Sequence, residues 1–175
     1  SKNFFISMLT RDIDLADCIL DLLDNSVDGI SEAARRDGRA LDERQPFAGH
    51  SVSITFDRDR FSIDDASGDI PIEVARDYAF RFGRPDDAPI LEDGSIGLYG
   101  IGMKRAIFKM GNRFSMNSST GTESFSVDVD VDRWRRDPQV RQDGAEEAME
   151  WSFDLVVKGV PDAKVGTSIV MTELY

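Results

Sequence analysis

Residues 12 to 36 carry the strongest periodic pattern in the chain, and this pattern predicts one long amphipathic helix. At about 100° per residue, its side chains separate into two arcs. The apolar arc, which we expect to be buried, consists of Ile13, Leu15, Ala16, Ile19, Leu20, Leu22, Leu23, Val27 and Ile30. The opposite arc consists of Asp14, Asp17, Asp21, Asp24, Asn25 and Asp28.

The polar arc is acidic, and the stretch LDLLDNSVDG at residues 20–29 contains no Lys or Arg. Like charges one helical turn apart repel each other by a few tenths of a kcal/mol. A positive partner is therefore expected. Asp21, Asp24, Asn25 and Asp28 share one helical face, and their carboxylate and amide oxygens suit Mg²⁺. A solvated acidic face is the alternative interpretation.

The composition excludes several classes of function. With 33 acidic and 21 basic residues, the net charge of −12 argues against nucleic acid as the partner of this domain as a whole. The single cysteine excludes an intramolecular disulfide and a cysteine-based zinc cluster. The single histidine disfavours a His-rich metal site and a Ser-His-Asp triad. There is no membrane-spanning apolar run and no signal-peptide pattern, so we expect a cytoplasmic protein without membrane contact.

The rest of the chain predicts an α+β fold, with helices on one face of a mixed, mostly antiparallel sheet. Length favours a single domain over residues 1–175. Two further helices are predicted at residues 72–83 and 103–111, with a loop rich in Gly and Pro at 84–102. Strands are predicted at 51–56, 60–65, 113–119, 123–132, 150–159 and 166–174, with a polar insertion at 133–149.

The stretch SIDDASGD, residues 62–69, ends a predicted strand with two acids followed by small residues. The carboxylate of Asp64 can accept a hydrogen bond from an exocyclic amine, as on adenine, while Gly68 lets a flat ring approach the backbone. The alternative is an ordinary turn built from Asp and Gly.

The stretch GSIGLYGIGMKRA contains Gly94, Gly97, Gly100 and Gly102 directly before the helix predicted to begin near Met103. Glycines followed by a helix N-terminus form an anion site, and Lys104 adds a charge for phosphate. The spacing matches neither a P-loop nor a Rossmann fingerprint, and a flexible loop is the alternative. A Gly-Thr-Ser stretch, residues 166–168, opens the last predicted strand and carries little information alone.

The order of these four motifs resembles the GHKL superfamily of ATP-binding domains, which includes gyrase, the ninety-kilodalton chaperone, histidine kinases and MutL. The resemblance spans residues 12–174 and implies the Bergerat fold, a two-layer sandwich. The stretches GLYGIGMKRA and DLLDNSVDG are most similar to MORC-type ATPases and their bacterial relatives, then to gyrase-type proteins.

The resemblance implies a role for each matching residue. Asn25 coordinates the Mg²⁺ that bridges the phosphates, and Asp28 supports the shell around it. Asp64 accepts from the adenine amino group, with Thr167 nearby and Gly68 permitting the approach. The residues that close on the phosphates are Gly97, Tyr99, Gly100, Ile101, Gly102, Met103 and Lys104.

In the family that this chain resembles, the general base is a glutamate four residues before the asparagine. This chain has Asp21 at that position. Aspartate is one methylene shorter, so its reach falls by about 1.5 Å. Asp65 and Ala66 also stand where the family often has Asn and Gly. The resemblance therefore implies Mg²⁺-dependent ATP binding with slow hydrolysis.

In such proteins, nucleotide binding drives lid closure and homodimerisation. We accordingly expect this chain to be the N-terminal ATPase domain of a longer protein, in which only other regions would bind nucleic acid. Two alternatives remain open: an ATP-binding module that does not hydrolyse, and the catalytic domain of a histidine kinase. The single histidine, His50, lies in a predicted loop and does not favour phosphotransfer.

Overall fold

The computed structural model describes residues 1–42, 44–67, 70–80, 82, 95–136, 151–158 and 164–175. For residues 77–78 and 95–100 it describes the backbone. The strands in this part of the chain are β1 Val52–Phe56, β2 Arg60–Asp65, β3 Gly111–Ser119, β4 Ser124–Asp130, β5 Leu155–Lys158 and β6 Gly166–Leu174. They form one sheet in the order β1-β2-β6-β3-β4-β5, and every pairing is antiparallel. The predicted α+β class is confirmed, with an antiparallel sheet in place of a mixed one.

One face of this sheet is apolar because side chains alternate along each strand. Two rows cross the central strands on that face, and the helices cover them. The first row consists of Phe61, Met171, Phe114 and Val129, and the second of Ile63, Ile169, Met116 and Val127, all buried.

The helices are α1 Lys2–Thr10, α2 Leu15–Arg36, α3 Ile72–Val74, α4 Ser95–Met110 and α5 Val131–Arg135, with a π-helical turn Ala75–Ala79 after α3. The predicted helix at 72–83 corresponds to α3 and this turn. No sequence pattern indicated α1. None of the helices in the described part of the chain is long and apolar enough to cross a membrane.

The long predicted helix is α2, which begins at Leu15 instead of residue 12. Asp14 caps it, because its side chain accepts from the backbone N–H of Asp17 while the Asp17 side chain accepts from the N–H of Asp14, each at 2.9 Å.

The predicted apolar arc of α2 is too wide. Leu15, Leu20 and Val27 are exposed, whereas the buried residues are Cys18, Leu22, Ser26, Gly29, Ile30, Ala33 and Ala34. This buried stripe is narrow and contains small residues because α2 packs beside α4 as well as over the sheet.

The helix predicted to begin near Met103 begins at Ser95, so the prediction of a loop is wrong for residues 95–102. Each glycine disfavours a helix by about 1 kcal/mol relative to alanine, which is why the sequence indicated a loop. The C-terminal half of α4 packs in the core through Met103, Ala106, Ile107 and Met110. The helix extends from this packed half towards the N-terminus as far as Ser95. The remaining loop residues, 84–94, lie outside the described residues.

Candidate functional site

The acidic face of α2 is divided between exposed and half-buried positions. Asp24 and Asp28 are exposed, whereas Asp21 and Asn25 are half-buried. Asn25 therefore lies at the boundary between the acidic surface and the packed side of α2. Its neighbour Ser26 is buried and faces the sheet.

The end of β2 places a buried carboxylate against α2. Asp65 is 9% exposed, and its Oδ2 accepts a hydrogen bond of 2.9 Å from the hydroxyl of Ser26. Its Oδ1 accepts from the backbone N–H and the hydroxyl of Ser67, at 3.0 and 2.6 Å. Three donors thus hold this carboxylate in one orientation beneath α2.

Thr167 of β6 lies directly opposite Asp65, and Ser118 of β3 lies opposite Thr167. Both hydroxyl residues are buried, and their oxygens are 3.0 Å apart. Asp65, Ser26, Thr167 and Ser118 therefore form a buried polar group on the helix-covered face of the sheet.

Asp64 lies on the other face of the sheet, because adjacent side chains in a strand alternate. It pairs in register with Ser168, which in turn pairs with Asn117. An open cavity of about 210 Å³ at that end of the sheet is lined by these three residues and also by Asp65, Ser118 and Thr167. Of the two acids that end β2, only Asp65 thus shares a face with α2 and Thr167, and Gly68 lies outside the described residues.

Gly166 explains how β6 comes close to the end of β2. Its φ is +137°, and a Cβ at this position would lie 2.1 Å from the backbone oxygen of Asp65. Any larger residue would push the two strands apart. The Gly-Thr sequence thus brings Thr167 into register with Asp65.

The glycine segment is the first half of α4, which includes Gly97, Gly100 and Gly102. Ile101 is exposed and Met103 is buried in the core, while the side chain of Tyr99 lies outside the description. Because these residues are helical, the anion site that a loop before Met103 would form is not present in this conformation.

Gly102 is the point at which α4 meets the acidic face of α2. A Cβ on Gly102 would lie 3.1 Å from both Cβ and Cγ of Asp21 and 3.2 Å from its Oδ2. The absence of a side chain at residue 102 therefore lets Asp21 lie directly against α4.

The two adjacent cations of α4 point in different directions. Lys104 is 7% exposed, and its Nζ lies 4.9 Å from the ring centroid of Phe82 in an aromatic cluster. Burial lowers the pKa of Lys104 to about 8. Arg105 instead faces α2, where its Nη2 is 2.9 Å from Oδ2 of Asp21.

The site residues that the sequence predicted fall into two groups. The structure brings Asp21 and Gly102 together, and it places Thr167 close to the packed side of α2. It places Asp64 on the opposite face, Met103 in the core and Lys104 against Phe82.

Sequence reasoning did not select Ser26, Asp65 and Arg105, which the structure places at the contacts of α2 with β2 and α4. Asp65 follows Asp64, Ser26 follows Asn25 and Arg105 follows Lys104, so each missed residue is next to one that was chosen.

A comparison with protein families defines the class of this domain. Residues 13–167 match the family "Histidine kinase-, DNA gyrase B-, and HSP90-like ATPase". Since this match covers most of the chain, the protein belongs to that family of GHKL-type ATPases, and the predicted superfamily is confirmed.

Among solved structures, the chain is similar to one titled "Crystal Structure of N terminal domain of a DNA repair protein". The TM-score is 0.51 and the identity 12%, over 99% of this chain and 40% of that chain. At this identity the likeness concerns the fold alone. A search of curated proteins finds no significant match.

Proposed function

We propose that this chain binds Mg·ATP between the acidic face of α2, the glycine segment of α4 and the end of β2. One observation carries the proposal: Ser26, which follows Asn25, donates to the buried Asp65 at 2.9 Å. This contact joins the residue that follows Asn25, which is expected at the phosphates, to a carboxylate suited to adenine. The two ends of a nucleotide would then lie along the middle of α2.

In this proposal, Asp65 takes the adenine role that the resemblance assigns to Asp64. A carboxylate already oriented by three donors has a lone pair left for an exocyclic amine. Thr167, directly opposite, is placed to contact the same edge of the base, either directly or through a water. Asp64 would face the opposite side of the sheet.

The residues present fit an Mg²⁺ ion that the nucleotide itself helps to bind. Among the described residues, no group of three or more His, Cys, Asp or Glu could hold a metal ion alone. Mg²⁺ is commonly held by one or two protein oxygens together with phosphates and waters. Asn25 would supply one oxygen and Asp28 would contact the surrounding waters. The ion would neutralise phosphate charge.

Asp21 is the proposed general base for slow hydrolysis. Its carboxylate lies against Gly102, beside the glycine segment that would close on the phosphates. Because aspartate is short, the water must approach within about 2.6–3.2 Å of an oxygen held close to α2. The phosphate role of Lys104 would require its side chain to leave Phe82 when that segment closes.

We further propose that closure accompanies homodimerisation, and that residues 1–175 are one N-terminal ATPase domain of a longer, MORC-like protein. Support for the MORC-like assignment comes from the stretch GLYGIGMKRA. ATP is the proposed small-molecule partner.

The test compares the parent with Asp21→Asn. Calorimetry with Mg·ATP measures binding, and release of phosphate measures turnover. We expect equal affinity and a loss of turnover by about 10²–10⁴-fold, because the base acts on water and not on the nucleotide. A parent that does not bind ATP contradicts the whole proposal. A parent that binds without turnover is a nucleotide-binding switch instead.

A further inference from the structure

The ion pair between Arg105 and Asp21 links the helix that carries the glycine segment to the proposed general base. Arg105 lies one turn after Gly102 on the face of α4 that contacts α2. Its Nη2 donates to Oδ2 of Asp21 at 2.9 Å. On α4, the glycine at residue 102 thus leaves room for Asp21, and Arg105 holds it.

This pair is more buried than the other ion pairs within the described residues. The side chains of Arg105 and Asp21 are 32% and 25% exposed, whereas every other pair has at least one partner more than half exposed. Exposed ion pairs have little effect on conformation because water and salt screen them. A pair at a helix–helix contact restricts its carboxylate far more.

The contact engages only one oxygen of the carboxylate. No hydrogen bond to Oδ1 of Asp21 is found among the residues that the structure describes. Nε of Arg105 is buried and likewise lacks an acceptor there, so the guanidinium does not hold the carboxylate as a two-bond fork. One oxygen of Asp21 is therefore fixed while the other is left for a further partner.

We propose that Arg105 is the positioning residue for Asp21 in ATP hydrolysis, an inference that rests on the proposed function. Arg105 holds Oδ2, so that Oδ1 faces the attacking water. Oδ1 takes a proton from that water as its oxygen bonds to the γ-phosphorus. The bond from phosphorus to the bridging oxygen breaks, and its electron pair leaves with ADP.

A fixed orientation matters more for an aspartate than for the usual glutamate. The shorter side chain cannot extend towards a displaced water, and a misplacement of about 1 Å can lower a rate by about a hundredfold. The guanidinium of Arg105 also gives the acidic face of α2 a positive partner from α4. Residues 20–29 themselves contain no Lys or Arg.

The experiment measures turnover of saturating Mg·ATP and calorimetric affinity for a non-hydrolysable ATP analogue. The variants are Arg105→Gln, Arg105→Lys and a control, Arg113→Gln. Arg113 forms an ion pair with Asp130, also at 2.9 Å. It lies near the start of β3, at the end of that strand away from Ser118. Melting temperatures establish that each variant is folded.

We expect Arg105→Gln to lower turnover about 10- to 100-fold while affinity for the analogue stays within about threefold. Arg105→Lys should recover part of the rate because it restores a cation, and Arg113→Gln should match the parent. In the Asp21→Asn background, Arg105→Gln should have no further effect, since both residues act through one carboxylate.

Three results overturn the inference while leaving the proposed function in place. They are a normal rate for Arg105→Gln, a loss of affinity as large as the loss of rate, and additive effects of the two substitutions. A parent that binds ATP without turnover also overturns it and leaves binding intact. A parent that does not bind ATP removes the proposed function and this inference together.

Discussion

Asp65 and Thr167 lie opposite each other on β2 and β6, and both side chains are buried on the helix-covered face of the sheet. Their register depends on Gly166, whose backbone passes so close to Asp65 that a Cβ would overlap its carbonyl oxygen. Ser26 joins this pair to α2. With Ser118 of β3, the polar group is thus assembled by four separate elements.

We expect Asp65→Asn to weaken adenine-nucleotide binding and Asp64→Asn to leave it within about twofold. An amide presents a donor where the adenine amino group needs an acceptor. Losing a buried contact of this kind costs about 1–3 kcal/mol, or roughly 5- to 150-fold in affinity. Calorimetry with ATP and GTP measures both the loss and its base selectivity.

Asp65 also accepts from Ser26 and Ser67, so thermal melts must show that Asp65→Asn is folded. A larger loss for Asp64→Asn than for Asp65→Asn would return the adenine role to Asp64.

The sequence pattern does not predict which of these two acids, Asp64 or Asp65, faces α2. Both end the same strand, and both precede small residues. The pleat decides which one faces α2, and the pleat is known only once β2 is paired with β6. By contrast, β2 itself and most of α2 were predictable, because their periodic patterns are long and regular.

The glycine segment shows a second limit. Its composition predicts a loop, and the preference for a helix comes from tertiary packing of Met103 and Ile107, which a local pattern does not contain. The directions of Lys104 and Arg105 follow from the phase of that helix. The sequence pattern does not contain this phase, so it could not predict that Lys104 faces Phe82 while Arg105 faces Asp21.

We expect Asn25→Ala to lower affinity for Mg·ATP at least about tenfold, because an amide oxygen that binds the ion is removed. Affinity for ATP in the presence of EDTA should change little. Asn112→Ala, at the opposite end of β3, is the control, since Asn112 contacts Glu173 and not the site. Equal losses with and without Mg²⁺ would show that Asn25 does not act through the metal.

Lys104 predicts a pH dependence of stability. Its pKa is lowered from 10.5 to about 8 by burial, so the folded state binds fewer protons than the unfolded state between these values. The free energy of unfolding should therefore rise with pH, by at most about 1.4 kcal/mol per pH unit in this range. Lys104→Met should abolish this contribution.

Denaturant unfolding at pH 7 and pH 9 measures the free energy of unfolding of the parent and of Lys104→Met. The contribution of Lys104 is the difference between their pH dependences. Below pH 9, the thiol of Cys18, whose pKa burial raises to about 11, stays protonated in the folded state. An identical pH dependence in parent and variant would contradict a lowered pKa of Lys104 in the folded state.

Gly102→Ala should lower turnover about tenfold without loss of stability. Alanine favours the helical conformation of α4 by about 1 kcal/mol, which offsets crowding at the contact with α2. The new methyl would lie 3.1 Å from Cβ and Cγ of Asp21, so the carboxylate must move by a few tenths of an ångström. Phosphate release measures the rate, and a thermal melt measures the stability.

In the Asp21→Asn background, Gly102→Ala should have no further effect on turnover, because the side chain it displaces no longer acts as a base. A rate that falls equally in both backgrounds would instead place the effect of Gly102 in closure of the glycine segment.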